Sequence, residues 1–225
     1  MSAIFITATG TDIGKSFVAA GLIRRLRASG QAVDALKPVA TGFEPSSPEA
    51  SDSGLLLSAL GLPVTPAGIE RISPWRYTAP LSPDMAAARE GRALDFDALV
   101  DFSRKAIAAC NGTLLIEGIG GVMVPLDENH TVLDWMAALN IPLALLTGSY
   151  LGSLSHTLTA LDALKRRNLV VRTLVVNETP GSTVPLADTV ATLSRFATPI
   201  PVVALPRLSA AAADHPAFGE IATRL

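Results

Sequence analysis

The sequence of 225 residues contains a single cysteine, Cys110, so no disulfide can form within the chain and no cysteine cluster can hold a metal. Aromatic residues make up only 5% and charged residues 17%, whereas hydrophobic residues reach 49%, which favours a large buried core over disorder. The formal net charge of −2 gives no general attraction to nucleic acid or to an anionic membrane, so we expect neither as a partner.

The N-terminal region also lacks a long hydrophobic run. The apolar segment 3–9 is too short to span a bilayer, and the charged-then-apolar layout of a signal peptide does not precede it. We therefore expect a cytoplasmic protein in a reducing compartment.

Apolar runs alternate with helical patterns along the chain, and we find no repeat or linker that divides it. This alternation is typical of βαβ units, so we predict an α/β fold in which residues 1–225 form a single, doubly wound domain with a mostly parallel sheet flanked by helices. The predicted strands are 4–6, 33–39, 114–117, 142–147, 174–177 and 202–205. The predicted helices are 17–29, a short helix that starts near Asp52 and is closed by Gly61, 96–109, 132–139, one carrying Leu154 to Leu164, 187–196 and one at the C-terminus. The proline-rich segment 63–83 is predicted to be a long surface loop.

The loop between the first strand and the first helix is Gly10-Thr11-Asp12-Ile13-Gly14-Lys15-Ser16. A helix N-terminus at this point offers unpaired N–H groups and the positive end of the helix dipole to phosphates. We expect Lys15 to reach the β- and γ-phosphates and the Ser16 hydroxyl to coordinate Mg²⁺. Thr9 stands where the standard P-loop has glycine, and the alternative is an ordinary strand-to-helix turn. The position of the loop in the first βα unit favours phosphate binding.

Lys37 begins the segment 37–42, Lys-Pro-Val-Ala-Thr-Gly, at the carboxyl end of the second predicted strand. Open α/β sheets bind ligands at that edge, so Lys37 is a candidate ligand-binding residue. Taken alone, the segment fits equally well a surface lysine followed by a proline that stops the strand.

Two carboxylates are candidates for a metal site. Glu117 ends an apolar strand and precedes the glycine-rich turn 118–121, where a carboxylate suits a metal better than a core. Asp52 has two interpretations, as a helix N-cap, which is favoured when it is taken alone, or as a metal ligand. Together with Ser16, the two carboxylates would form the oxygen-only site that Mg²⁺ prefers beside nucleotide phosphates.

These segments together resemble the ATP-dependent dethiobiotin synthases of biotin biosynthesis, over most of the chain. The matching features are the variant P-loop, 37–42, Asp52, Ser82-Pro83, 117–121 with Pro125-Leu126, Asp134-Trp135, Leu151-Gly152 with His156, Asn177 and Leu205-Pro206. Ala8 and Ser155 depart from the residues that are usual in the family.

The resemblance implies a ligase that forms C–N bonds from ATP, CO₂ and 7,8-diaminononanoate, giving dethiobiotin, ADP and phosphate. One amine takes up CO₂ as a carbamate, the carbamate oxygen attacks the γ-phosphate, and the second amine displaces phosphate as the ureido ring closes. The resemblance further implies Mg²⁺ as cofactor and a homodimer with the substrate near its interface.

The resemblance also implies roles for individual residues. Catalysis is implied for Lys15, Lys37 and Thr11, and metal binding for Ser16, Asp52 and Glu117. Substrate contacts are implied for Thr11, Lys37, Thr41, Leu151, Gly152 and Ser153. ATP contacts are implied for Asp12, Ile13, Gly14, Lys15, Ser16, Phe17, Asp52, Glu117, Gly118, Gly120, Asn177, Pro206, Arg207 and Leu208. For His156 we favour a hydrogen-bonded structural role over catalysis.

Three alternative functions are compatible with the same fold. They are a nucleotide-switched partitioning ATPase, another ATP-dependent ligase such as an amidotransferase, and a nucleotide-binding scaffold. The partitioning ATPases typically have an additional lysine early in the P-loop, and no lysine precedes Lys15 here. The segment 219–225 also has no strong amphipathic pattern of the kind that anchors a helix to a membrane.

Overall fold

A computed structural model describes residues 2–209 and 215–225. The strands are β1 (Ser2–Ala8), β2 (Val33–Leu36), β3 (Val39–Thr41), β4 (Trp75–Tyr77), β5 (Thr113–Glu117), β6 (Leu143–Gly148), β7 (Val171–Asn177) and β8 (Val202–Leu205). Six of them form a parallel sheet in the order β2-β5-β1-β6-β7-β8, while β3 and β4 pair in a separate parallel ribbon. The predicted α/β fold with a mostly parallel sheet is confirmed.

Helices connect the strands. They are α1 (Lys15–Ala28), α2 (Asp52–Leu60), α3 (Pro66–Ile72), α4 (Pro83–Arg89), α5 (Phe96–Ala109), α6 (Val132–Leu139), α7 (Ser153–Arg166), α8 (Leu186–Phe196) and α9 (Pro216–Ala222). The predicted bounds of α5, α6 and β8 coincide with the observed ones. Within the described ranges, no helix is long and apolar enough to cross a membrane.

The centre of the sheet is packed from both faces, which explains why β1 carries a continuous apolar run rather than an alternating one. Phe5 of β1 is fully buried and meets the ring of Trp135 edge-on, with 4.8 Å between the ring centroids. The indole N–H of Trp135 donates a 3.2 Å hydrogen bond to the hydroxyl of Ser103, so this buried polar group is satisfied. The strand that precedes the P-loop is therefore held rigidly in the core.

The predicted strand 33–39 is wrong in its extent, because the chain changes partner at Lys37 and Pro38. β2 pairs with β5, whereas β3 pairs with β4. The N–H of Lys37 donates to the carbonyl of Ile72, and Pro38, which has no N–H, cannot continue the ladder as a donor. The interruption leaves Lys37 directly after β2, between the two strand pairings.

The predicted loop 63–83 is also wrong, because it contains α3 and β4. Thr65 caps α3 by accepting a hydrogen bond from the N–H of Gly68, and Pro66 occupies the first helical position, where its missing N–H costs nothing. The residues after β4 return to the carboxyl edge of the sheet and enter α4.

All strands of the main sheet point the same way, so their carboxyl ends share one edge. The P-loop follows β1, Lys37 follows β2, Glu117 ends β5 and Asn177 ends β7. The fold thus gathers segments that are far apart in sequence at the edge where α/β sheets bind ligands.

Candidate active site

The P-loop has a conformation that depends on glycine at its last turn. Gly14 is the N-cap of α1 with φ of 93°, and a Cβ there would lie 2.5 Å from Nδ2 of Asn177. That side-chain nitrogen donates a 2.8 Å hydrogen bond to the carbonyl of Ile13. The end of β7 therefore fastens the loop, and no larger residue fits at Gly14.

The ammonium group of Lys15 is buried and held by backbone oxygens. It donates to the carbonyl of Gly10 at 3.1 Å and to that of Gly120 at 2.7 Å. Burial and, second, the positive charge of Lys37 lower the pKa of Lys15 to about 8. An anion bound in the cleft would therefore stabilise the charged form of Lys15.

The turn after β5, which carries the Gly120 carbonyl, runs alongside the end of β1. The N–H of Gly118 donates to the carbonyl of Ile6, and the N–H of Val122 donates to that of Ala8. A Cβ at Gly118 would lie 2.8 Å from the Phe5 ring, so the close approach depends on glycine. Gly118 therefore lets the turn after β5 pack closely against β1.

Lys37 is only 2% exposed, so the interpretation as a surface lysine is wrong. Its ammonium donates to Oε1 of Glu117 at 2.6 Å and to the carbonyl of Gly118 at 2.9 Å, and it lies 3.2 Å from Oδ2 of Asp52. Burial acts to lower the pKa of Lys37, but the charges of the two carboxylates outweigh it and raise the pKa. Lys37 is thus a charged ammonium within the site.

Glu117 is 1% exposed at the end of β5, and its two oxygens differ. Oε1 accepts hydrogen bonds from Ser16, at 2.7 Å, and from Lys37. Oε2 is buried and has no hydrogen-bond partner within the described part of the chain. A buried carboxylate oxygen without a partner is costly, which indicates that it serves a ligand.

Asp52 is half exposed and is the first residue of α2 rather than its N-cap. The cap is Ser51, whose hydroxyl accepts a 3.0 Å hydrogen bond from the N–H of Gly54, so the N-cap interpretation of Asp52 is wrong. Burial acts to raise the pKa of the Asp52 carboxyl, but the charge of Lys37 and hydrogen bonds from Ser16 and Lys37 lower it. The Asp52 carboxyl does not cap the helix, and it is ionised.

The donor set fits Mg²⁺ held together with a nucleotide. Within residues 2–209 and 215–225, no group of three His, Cys, Asp or Glu side chains could form a metal cage by itself. Mg²⁺ typically takes one or two carboxylates and completes its shell with phosphates and water. A hydroxyl and two carboxylates, with an unpartnered Glu117 Oε2, match that requirement.

A cleft of about 860 Å³ joins these groups. The predicted residues that line it are Thr11, Asp12, Gly14, Lys15, Ser16, Phe17, Lys37, Thr41, Asp52, Glu117 and Gly120. The lining residues that we did not predict as site residues are Gly42, Leu55, Pro80, Leu81, Ser82, Pro83, Ile119 and Val124. Gly42, Ser82, Pro83 and Ile119 belong to segments that were recognised in the sequence, whereas Leu55, Pro80, Leu81 and Val124 carry no chemical signature of their own.

A second cleft of about 340 Å³ adjoins the first and shares Asp12, Gly14 and Phe17 with it. Its other lining residues are Ile13, Asn177, Glu178, Thr179, Pro180, Arg207 and Leu208. The residues 178–180 were not predicted, although they directly follow Asn177. Pro206 lies beside the cleft in sequence but does not line it.

The segment Leu151–Ser153 lines neither cleft. Leu151 is 91% exposed, Gly152 is the N-cap of α7 with φ of 99°, and the buried hydroxyl of Ser153 has no partner within the described residues. His156 and the hydroxyl of Tyr150 form a 2.9 Å hydrogen bond, and the structural role of His156 stays a prediction.

A family model described as an AAA domain matches residues 2–213. The ATP-dependent dethiobiotin synthetase BioD of Acidiphilium cryptum is 50% identical over 205 residues, which cover 90% of this chain and 92% of that protein. The proteins of the same name from Methylobacterium nodulans and Caulobacter sp. are 50% identical over 202 residues and 44% identical over 220 residues. The former match covers 88% of this chain and 90% of that protein, and the latter 96% and 94%.

Solved structures support the fold at low identity. The MinC:MinD cell division protein complex of Aquifex aeolicus aligns with a TM-score of 0.56 at 11% identity, covering 92% of this chain and 82% of that one. The septum site-determining protein MinD of Pyrococcus horikoshii aligns with a TM-score of 0.53 at 16% identity, covering 96% and 82%. Such similarity shows the P-loop NTPase fold and nothing finer.

Proposed function

Because the chain belongs to the family of ATP-dependent dethiobiotin synthetases, we propose that it closes a ureido ring on 7,8-diaminononanoate with CO₂ and ATP, giving dethiobiotin, ADP and phosphate. The observation that carries this proposal is the convergence of two ammonium groups, Lys15 and Lys37, with the carboxylates of Asp52 and Glu117 in one cleft. An anionic nucleophile and an anionic nucleotide must meet in this reaction, and a site with two cations suits that encounter.

Phosphate binding is assigned to the P-loop. The N–H groups at the start of α1 and the ammonium of Lys15 bind the β- and γ-phosphates. Ser16, Asp52 and Glu117 hold Mg²⁺, which when bound neutralises charge on the phosphates. Since phosphoryl transfer requires mainly positioning and charge stabilisation from the protein, no further group is needed for the first step.

The carbamate is assigned to the part of the cleft between Lys37 and Thr41. Lys37 stabilises its negative charge and the charge that develops as its oxygen attacks the γ-phosphate. The hydroxyls of Thr11 and Thr41 orient the two amines. No protein base is required, because the carbamate is already anionic when it attacks.

The apolar lining suits the aliphatic chain of the diamine. Leu55, Leu81, Ile119 and Val124 border the same cleft as Lys37. Burial of methylene groups there contributes about 0.8 kcal/mol each. An apolar wall next to two ammonium groups accommodates a substrate that is polar at the amines and hydrocarbon along its length.

The adenine base is assigned to the second cleft. The amide nitrogen of Asn177 is occupied by the carbonyl of Ile13, which leaves its oxygen to accept a hydrogen bond from the 6-amino group of adenine. Ile13, Phe17, Arg207 and Leu208 line the same cleft and border the base, with Pro206 next to them in sequence.

The proposal includes a homodimer in which the segment Leu151–Ser153 of one subunit lies near the substrate carboxylate. Its position outside both clefts of its own chain and the exposure of Leu151 support this arrangement. Each subunit contributes residues 1–225 as one domain, and a cytoplasmic location stays a prediction from the sequence.

ADP release tests the proposal against a nucleotide-switched ATPase. With Mg²⁺ and ATP present, we expect ADP to form only when both diaminononanoate and bicarbonate are added, because the carbamate is the nucleophile. A rate of ADP formation that is unchanged when the diamine is omitted would show that water or another group is the acceptor. 1,8-Diaminooctane, which has two amines but neither their vicinal spacing nor the carboxylate, is expected to give no ADP.

A further inference from the structure

The ammonium of Lys37 lies between the two carboxylates that the proposed function assigns to Mg²⁺. It is 2.6 Å from Oε1 of Glu117 and 3.2 Å from Oδ2 of Asp52. Ser16, the third proposed metal ligand, donates to the same Glu117 oxygen. A lysine assigned to the carbamate therefore pairs with the same two carboxylates that are assigned to the metal, and on Glu117 it uses Oε1, beside the unpartnered Oε2.

We infer that Lys37 acts as an internal counterion that holds the metal site of the nucleotide-free protein, and that Mg²⁺ bound with nucleotide takes the carboxylates and frees Lys37 for the phosphoryl group and the carbamate. This inference rests on the proposed function, since it assigns Lys37 a positioning step that precedes its contact with substrate. It makes Asp52 and Glu117 positioning residues for Lys37 as well as metal ligands.

The hydrogen bonds of the Lys37 ammonium allow it to leave the carboxylates through a side-chain movement alone. Its three N–H groups are directed to Glu117, to the carbonyl of Gly118 and towards Asp52. If a cation takes both carboxylates, the bond to Gly118 still anchors the side chain while two donors become available. No backbone change is required, because Lys37 lies in the wall of the same cleft.

The position of Lys37 determines when Mg²⁺ can bind. A free divalent cation must compete with a buried ammonium that already compensates the two carboxylates, so the nucleotide-free protein binds Mg²⁺ weakly. Nucleotide phosphates offer the displaced ammonium a new anionic partner, so metal and nucleotide bind together. The carboxylates of Asp52 and Glu117 therefore always have a cation beside them, Lys37 before binding and Mg²⁺ after it.

Binding of Mn²⁺, without nucleotide or substrate, tests the inference directly. Free Mn²⁺ is quantified by electron paramagnetic resonance in the full-length protein and in Lys37→Met. We expect the substitution to tighten Mn²⁺ binding by about tenfold or more, because the competing ammonium is gone. Lys37→Gln, which keeps a donor for the Gly118 carbonyl, is measured in parallel and is expected to act in the same direction.

Lys15→Met is the matched control. It removes one positive charge from the same cleft, but the Lys15 ammonium donates to carbonyls and not to the carboxylates. We expect this variant to tighten Mn²⁺ binding by less than about threefold, the part due to general electrostatics. An equal gain in both lysine variants, or no gain in either Lys37 variant, overturns the inference.

A second arm repeats the titration with the non-hydrolysable analogue β,γ-methylene-ATP. With the analogue, we expect Lys37→Met and the unsubstituted protein to bind Mn²⁺ equally tightly. The ammonium that Mn²⁺ displaces in the unsubstituted protein then has phosphate oxygens to bind. If Lys37→Met still binds Mn²⁺ more tightly by the same factor with the analogue, the inference that Lys37 leaves the carboxylates is wrong. Neither arm contains diamine or CO₂, so absence of ring closure would refute the proposed function and leave these results standing.

Discussion

The side-chain amide of Asn177 occupies the space next to Gly14 and donates to the carbonyl of the residue before it, Ile13. One asparagine thereby connects the end of β7 to the phosphate-binding loop across 164 positions of the sequence. It also lines the second cleft, which shares Gly14 with the first. The conformation of the loop thus depends on one contact that leaves no room for a side chain.

Gly14→Ala is expected to lower stability and to abolish nucleotide binding. The added Cβ meets Asn177 at 2.5 Å, and φ of 93° is unfavourable for any residue but glycine. The expected loss in the free energy of unfolding is at least about 2 kcal/mol, measured by urea denaturation. Gly10→Ala is the control, because nothing lies within 4 Å of a Cβ there. Equal effects of the two substitutions would refute the role of the Asn177 contact.

Lys37→Ala is expected to reduce turnover by about a hundredfold or more, while ATP affinity changes by less than about tenfold. The reason is that Lys37 stabilises charge that develops in the reaction, whereas the P-loop binds the phosphates. Steady-state rates and calorimetric ATP binding measure the two effects separately. A normal rate at saturating ATP with weakened ATP binding would make our role for Lys37 wrong.

Nucleotide affinity is expected to fall as the pH rises from 7 to 9. The pKa of Lys15 is about 8 in the free protein, and a bound phosphate raises it, so binding takes up a proton near pH 8. The ammonium form is present below the free-state pKa and is lost above it, which predicts about a tenfold loss of affinity over this range. Calorimetry in buffers of different ionisation enthalpy counts the protons. Lys15→Arg keeps its charge, and a pH dependence that persists in this variant would exclude Lys15 as its source.

Leu151→Glu is expected to convert the proposed dimer to a monomer. A charge cannot be buried in an apolar contact without a partner, so the contact is lost. Light scattering after gel filtration gives the mass, and we expect the KM for the diamine to rise by about tenfold or more while ATP binding stays the same. Phe196→Glu, at the end of α8 and on the opposite edge of the sheet, is the control, since Phe196 is also an exposed apolar residue. A monomeric unsubstituted protein would refute the dimer outright.

The sequence predicted the regular parts of the fold where the apolar residues recur with a single spacing. The apolar positions of α5 and α6 recur at helical spacing, and their bounds coincide with the prediction. The prediction failed at Lys37-Pro38, where apolar residues continue on both sides and hide a change of strand partner. It failed again at Thr65-Pro66, where a good helix start was obscured by the surrounding prolines.

The sequence indicated the motifs and grouped Ser16, Asp52 and Glu117 as one candidate metal site, but it did not predict the contacts between the segments. Each motif indicated its own chemistry, yet the contact of Lys37 with Glu117 spans 80 positions and that of Lys15 with Gly120 spans 105. Such pairs depend on strand order, which a single sequence does not determine. The exposure of Lys37 was left open for this reason, because an isolated lysine at a strand end is compatible with both water and a buried ion pair.

The central claim is tested most directly by the product formed with ¹³C-bicarbonate. The protein is incubated with ATP, Mg²⁺, diaminononanoate and labelled bicarbonate, and the products are analysed by mass spectrometry. We predict dethiobiotin one mass unit heavier than with unlabelled bicarbonate, together with one ADP for each molecule formed, because the ureido carbon comes from CO₂ and each ring closure consumes one ATP. ADP formation without labelled dethiobiotin, or no turnover in a protein that binds ATP, would contradict the account.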